Sequence, residues 1–263
     1  SPETIVIAES TSPFGPAITV TSAIGTSPGS GARHGVRSQT DQYRRGLAPT
    51  EQGGHLGGIM PHSHLLAPGR IGSMTLRNRI LMCPMGDNQA TSGGYVTEQQ
   101  IAYFEARARG GAALLLVGSV GVTAPEGLSS PRQSAIGQDD FVEGWQRLAA
   151  RVHAHGAKVA LQLVHNGKNA VEDIIAARPL LVPSMPDKPP AADPLMGMLT
   201  PEEAANIGTP GQVEGAAVIF HEMSKDDISR MVDAYSDAVL RAREAGIDGV
   251  ELHAGHGYLI DNF

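Results

Sequence analysis

An α/β fold with a parallel sheet is what the sequence predicts, and three observations predict it. Apolar strand-like runs at 80–82, 112–117, 158–164 and 249–252 alternate with segments of helical period. Strands separated by helices in this way pair in parallel. The run 112–117 is apolar throughout, as a strand covered on both faces requires. The helical segments close on Gly110-Gly111, Gly156 and Gly246, the residue type that most readily ends a helix.

Residues 1–59 read differently. Gly, Pro, Ser and Thr make up about half of them, with no sustained period, so little apolar surface is available to offset chain entropy. Ile5–Ala8 and Ala17–Val20 are candidate short strands surrounded by turn residues. The expectation is a disordered extension over 1–59 ahead of a folded domain over 60–263. Arg33, Arg37, Arg44 and Arg45 would suit an organelle-targeting segment, but Glu3, Glu9, Asp41 and Glu51 oppose it.

In chain order, Ile71 to Leu76 alternates around Gly72-Ser73 and predicts a small hairpin. Ile80–Met82 is the first sheet strand, and Pro84 ends it by removing a backbone donor. Thr97-Glu98-Gln99-Gln100 has the spacing of a capping box. Ile101, Phe104 and Ala108 continue it as an amphipathic helix. Gly118-Ser119 lies at the end of the next strand, and Phe141, Trp145, Leu148 and Val152 mark the following helix. The third strand, Lys158–Val164, carries Gln162 and leads into His165-Asn166-Gly167-Lys168. Residues 169–222 read as one long connection, proline-rich between Pro179 and Pro194. Ser224 to Asp227 gives a second capping box. Ile228, Met231, Val232, Tyr235 and Val239 form the apolar face of the helix that follows.

Chemistry concentrates after the fourth strand, in His253-Ala254-Gly255-His256-Gly257-Tyr258. Side chains just past the carboxyl end of a parallel strand face the mouth of an α/β barrel, and glycines there let a flat ligand approach. Two histidines three apart also suit a pair of metal ligands, but no third ligand stands at a convincing spacing. Incidental histidines in a solvated loop are the other plain reading.

The net charge of −7 argues against nucleic acid and gives no sign of a membrane-surface patch. A single cysteine, Cys83, excludes an internal disulfide framework or Cys-based metal cluster and fits the cytoplasm. No apolar run reaches the roughly 18 residues of a membrane span, and no secretory signal pattern opens the chain.

Two stretches resemble one family. Leu66 to Met85, with its Asn78-Arg79-Ile80-Leu81-Met82-Cys83-Pro84-Met85, and His253-x-x-His256-Gly257-Tyr258-Leu259 are similar to the old yellow enzyme family. These are FMN-dependent NADH:flavin oxidoreductases, including 2,4-dienoyl-CoA reductase-like members. The resemblance covers 65–263 and implies a TIM (β/α)8 barrel of which the chain carries about the first four β/α units, a fragment of the full enzyme. Members of this kind would begin at Met60. The later units, which in the family supply a flavin-contacting Arg and the phosphate-binding loops, would lie beyond Phe263.

The resemblance also implies roles. Cys83, Pro84, Met85, Gly86, Ser119 and Gln162 would bind FMN, with Gln162 at the pyrimidine edge of the flavin. NAD(P)H would be the reductant and a small enone or dienoyl compound the substrate. His253 and His256 would donate to its carbonyl oxygen, and Tyr258 would protonate the α-carbon. Iron–sulfur and FAD groups would enter only with a downstream domain. Gly86 stands where many members carry Thr or Cys, and Lys168 stands where they carry Arg, losing its planar fork. Two further readings stay open: a truncated, non-catalytic relic, and a barrel metal hydrolase using His253 and His256.

Overall fold

The structure, a computed structural model, describes residues 6–10, 17–21, 62–186, 200 and 218–263. Strands β1 (Val6–Ser10) and β2 (Ala17–Thr21) are followed by a short helix α1 (Ser63–Leu66) and a hairpin of β3 (Gly69–Ile71) and β4 (Met74–Leu76). Then come β5 (Leu81–Met82), α2 (Glu98–Arg109), β6 (Leu114–Gly121), α3 (Val142–His153) and β7 (Lys158–Val164). The remainder is α4 (Val171–Ile175), β8 (Leu180–Val182), β9 (Phe220–Glu222), α5 (Lys225–Glu244) and β10 (Gly249–Leu252).

Four strands run in parallel in the order β5-β6-β7-β10. In register, Leu81 faces Leu114, Leu116 faces Ala160, and Gln162 faces Glu251. Alternate residues of each strand point to opposite faces, and the two faces do different work. The outer face buries Leu115, Val117, Val159, Leu161, Leu163 and Val250 against Ile101 and Phe104 of α2, Trp145, Leu148 and Val152 of α3, and Ala238 and Ala242 of α5. Each large apolar side chain buried in this way contributes about 1.5–3 kcal/mol. The inner face packs Leu114, Leu116 and Ala160 against Leu76, with Ile71 and Met74 of the hairpin beside them. The hairpin therefore plugs the amino end of the half-barrel, and the carboxyl end stays open.

Several expectations change in detail. Within 1–59 the two described segments, 6–10 and 17–21, are strands and fall at the two candidate short strands. β1 pairs antiparallel with β2, and β2 pairs in parallel with β10. Residues 17–21 are mostly β-branched, the type enriched in strands, and the β10 edge offers them unpaired backbone groups. The rest of 1–59 lies outside the described residues, apart from its sequence.

At α2 only half of the capping box forms. Thr97 Oγ1 accepts from Gln100 N at 3.2 Å, while the buried Gln100 side chain turns inward and donates to Asp87 Oδ2 at 3.0 Å and Ser134 Oγ at 2.7 Å. At α5 both halves form, Asp227 N to Ser224 Oγ at 3.1 Å and Ser224 N to Asp227 Oδ2 at 2.9 Å. β6 runs on past Gly118-Ser119, with a register shift between Val117 and Val120. The connection 169–222 contains α4 and a parallel pair, β8 with β9, built on the buried Leu180 and Val182.

Candidate active site

The carboxyl ends of the four strands open onto a cavity of about 520 Å³. Gly249, Glu251 and His253 share one face of β10 and its continuation, and Ala160 and Gln162 share one face of β7. Leu116 and Ser119 come from β6, and Cys83, Pro84, Met85 and Gly86 follow β5. His256 and Tyr258 complete the rim. The residues given catalytic or flavin-binding roles from the sequence thus all line one cavity, whereas His165 and Lys168 do not.

His253 stays tied to the sheet, its N–H donating to Leu163 O at 3.0 Å. Its Nε2 lies 3.1 Å from His256 Nδ1, and its ring stands edge-on to those of His256 and Tyr258, each 4.9 Å away. His256 adopts φ +59° and Gly257 φ +71°, a left-handed turn that few side chains take. The turn is fastened from three sides. Gly257 N donates to Asp261 Oδ2 at 2.7 Å, and Gly257 O accepts from Asn262 Nδ2 at 2.7 Å and from Asn169 Nδ2 at 3.1 Å. Leu259 N donates to His165 O at 3.0 Å, and the Leu259 side chain is buried.

Burial pushes the His253 imidazole down to about 4, and a charge on His256 would push the same way. His253 is therefore neutral at neutral pH, with one ring N–H to give. Its Nδ1 is buried with no protein partner. Burial also raises the Tyr258 phenol, which keeps its proton in place. His165 is held down to about 4 by burial as well. Its Nδ1 accepts from Gly167 N at 3.0 Å, so the proton sits on Nε2. That side of the ring packs on Gly127, where a Cβ would come within 2.5 Å of Nε2. His165 supports the loop from below and does not line the cavity.

The opposite wall is close-packed. A Cβ at Gly118 would lie 2.5 Å from Pro84 Cβ and 2.9 Å from Gln162 Oε1, so only glycine fits there. Ser119 Oγ accepts from Gln133 Nε2 at 3.1 Å, and Gln133 Oε1 in turn accepts from Ser129 N at 2.7 Å. Gln162 Nε2 lies 3.4 Å from Oε1 of Glu251, a carboxylate that sequence reasoning passed over. Its signal was positional: Gly249, Glu251 and His253 alternate with the apolar Val250 and Leu252, which puts Glu251 on the site's side of the strand. Asn169 and Gln133 were missed for want of any local pattern.

A flat, polar-edged ring suits this cavity. Gly86 leaves open space on one wall, the Gln162 amide faces inward, and His253 Nδ1 awaits a partner. Among the described residues that line it there is no Lys or Arg, and Lys168 stands outside them. A second groove, of about 440 Å³, runs between residues 122–126 and α5, lined by Arg230 and Arg241. Those cations pair with Asp227 and Asp139.

Residues 64–263 match the model of the NADH:flavin oxidoreductase / NADH oxidase family. The chain is 33% identical over 200 residues to an NADH oxidase of Thermoanaerobacter brockii, covering 76% of this chain and 27% of that protein. It is 34% identical over 191 residues to an NADPH dehydrogenase of Halalkalibacterium halodurans, covering 72% and 47%. The solved old yellow enzyme homologue from Zymomonas mobilis is 30% identical with a TM-score of 0.59, covering 75% of this chain and 50% of that one. The four β/α units are those of a TIM barrel, and the chain spans about a quarter to a half of these relatives' length.

Proposed function

The chain belongs to the NADH:flavin oxidoreductase / NADH oxidase family, and on that premise we propose that its cavity is the ring-binding and substrate half of an FMN-dependent, NAD(P)H-driven ene-reductase site. One observation carries the reading: His253, His256 and Tyr258 stand over the same cavity whose far wall is Pro84, Met85, Gly86, Ser119 and Gln162. Those far-wall residues would hold the isoalloxazine ring, with Cys83 at its edge. Bound FMN would supply hydride transfer from NAD(P)H to the β-carbon of an α,β-unsaturated carbonyl or dienoyl compound.

The chain's own groups supply orientation and protons. With substrate bound, His253 and His256 would turn ring N–H groups from each other to the carbonyl oxygen, where negative charge grows. A preorganised donor of this kind contributes about 2.7–4 kcal/mol. Tyr258, protonated at neutral pH, holds the proton for the α-carbon. The metal-hydrolase reading needs a third ligand. Among the described residues no group of three or more His, Cys, Asp or Glu is placed to hold an ion, and the two histidines face each other instead.

The test is a titration of the 263-residue chain with FMN and with riboflavin, followed by flavin fluorescence. Both should bind with similar affinity, weaker than about 1 μM, because no charge-assisted donor reaches a phosphate from the lining residues. Binding of neither flavin would favour the non-catalytic relic. FMN binding far tighter than riboflavin would reveal a phosphate grip within this chain.

A further inference from the structure

We propose that Glu251 is a positioning residue: it fixes the Gln162 amide with its carbonyl oxygen toward the cavity, so that the site selects a ring bearing an N–H donor. The inference rests on the flavin reading for the identity of the ring, but not for the geometry. Glu251 and Gln162 are register partners on adjacent strands, both on the interior face and both buried. Gln162 Nε2 lies 3.4 Å from Glu251 Oε1.

The chemistry of the two groups makes this contact directional. A carboxyl oxygen that carries no proton only accepts hydrogen bonds, whereas a primary amide donates at one end and accepts at the other. The Gln162 NH2 must therefore face Glu251, and the oxygen is turned away. It is turned to Gly118, whose missing Cβ would sit 2.9 Å from Oε1 and 3.1 Å from Met85 N. Pro84 and Met85, which line the cavity beside Gln162, flank that oxygen, so it is offered at the wall against which a flat ligand would lie. With an amide in place of the carboxylate, Gln162 could be satisfied in either orientation, and the preference for a donor would vanish. A flavin carries an imide N–H on its pyrimidine ring, and methylation at that nitrogen removes it.

Two measurements on the full chain test this. In protein labelled with 15N-glutamine, the Gln162 side-chain pair is identified by its loss in Gln162→Met. One of its two protons should lie downfield and exchange slowly, and Glu251→Gln should abolish both features. An unchanged signal in Glu251→Gln overturns the proposal whatever any flavin does. Riboflavin should then bind the wild-type chain about tenfold more tightly than N3-methylriboflavin, the worth of one well-made hydrogen bond. Glu251→Gln should bring that ratio close to one at an unchanged unfolding midpoint. A merely structural role would lower both affinities and keep the ratio. Should the amide signal respond but neither flavin bind, the flavin reading falls, and with it the ligand that the oriented amide was inferred to select.

Discussion

At the amino ends of β7 and β10, Asp248 receives Lys158 Nζ at 2.7 Å, Val159 N at 2.9 Å and His153 Nε2 at 2.6 Å. Nearby, the Arg77 guanidinium spans Ala108 O, Ala112 O and His155 O, tying the ends of two helices to the hairpin plug. At the carboxyl ends of the same strands the polar groups are arranged otherwise. His253 and His256 face each other, His253 Nδ1 has no protein partner, and two imidazoles are held far below their usual range by burial. One rim satisfies its charges, and the other keeps polar groups buried and in reserve. This is the division expected of a barrel, with stability secured at one face and chemistry placed at the other.

Acid should break the mouth first, and this is the largest effect expected. Between pH 6.5 and 4 the unfolded chain takes up protons at His165 and His253 while the folded chain does not. Stability therefore falls as pH falls through that window. The His165 share is roughly 3 kcal/mol, and the His253 share is smaller because solvent in the cavity screens its ring. Unfolding midpoints measured from pH 7.5 to 4 should show the slope, and His253→Asn should flatten it in part. A flat profile for the unaltered chain would mean that water reaches both rings.

Asp248→Ala tests the other rim. Removing this carboxylate leaves Val159 N–H without its acceptor while Lys158, 40% exposed, turns to solvent, at a cost of about 1–2 kcal/mol. Urea unfolding at pH 7 should register that loss, while the affinity for riboflavin stays within twofold. Tyr258→Phe should invert the pattern. Stability changes by less than about 0.5 kcal/mol, while enone reduction by the flavin-loaded protein slows about 100-fold and flavin reduction by NAD(P)H is spared. Unchanged enone turnover would take Tyr258 out of the proton-donor role and leave that task to solvent.

Legibility in the sequence followed the same division. Strands and helices were readable because burial on one or both faces imposes a period, as in Ile101-Phe104-Ala108 and Lys158–Val164. The mouth residues were readable because a short motif keeps them together along the chain. What escaped depends on distant partners. Gln100 has the identity of a capping residue, but Asp87 and Ser134 draw it inward. Alternation along β10 puts Glu251 on the site's side of the strand, but its partner Gln162 is 89 residues away in the chain. β8, inside the proline-rich stretch, and β9 beyond it stay hidden because three-residue strands are too short to show a period. The pairing of β2 with β10 had no signal at all, since it depends on an edge 231 residues away in the chain.

The smallest effect sharpens what kind of contact holds the satisfied rim. Arg151 also binds a carboxylate there, Glu105, which His155 Nε2 approaches at 3.2 Å from the other side. The Glu105 carboxyl is held down to about 2, first by Arg151 and then by His155. Its contribution is present above the ordinary carboxylate range and is lost as pH falls from 4.5 toward 2, a window below that of the histidines. Yet the Arg151 side chain is 53% exposed, so screening and side-chain entropy offset much of the attraction. Arg151→Ala should shift the unfolding midpoint by at most about 2 °C at pH 7 and by still less at pH 3, where Glu105 in the variant is largely protonated. His155 should keep part of the hold on Glu105 in both cases. A loss at pH 7 as large as that of Asp248→Ala would mean that charge pairing alone, without burial, secures this end of the barrel, and the contrast between the two rims would have to be redrawn on that basis.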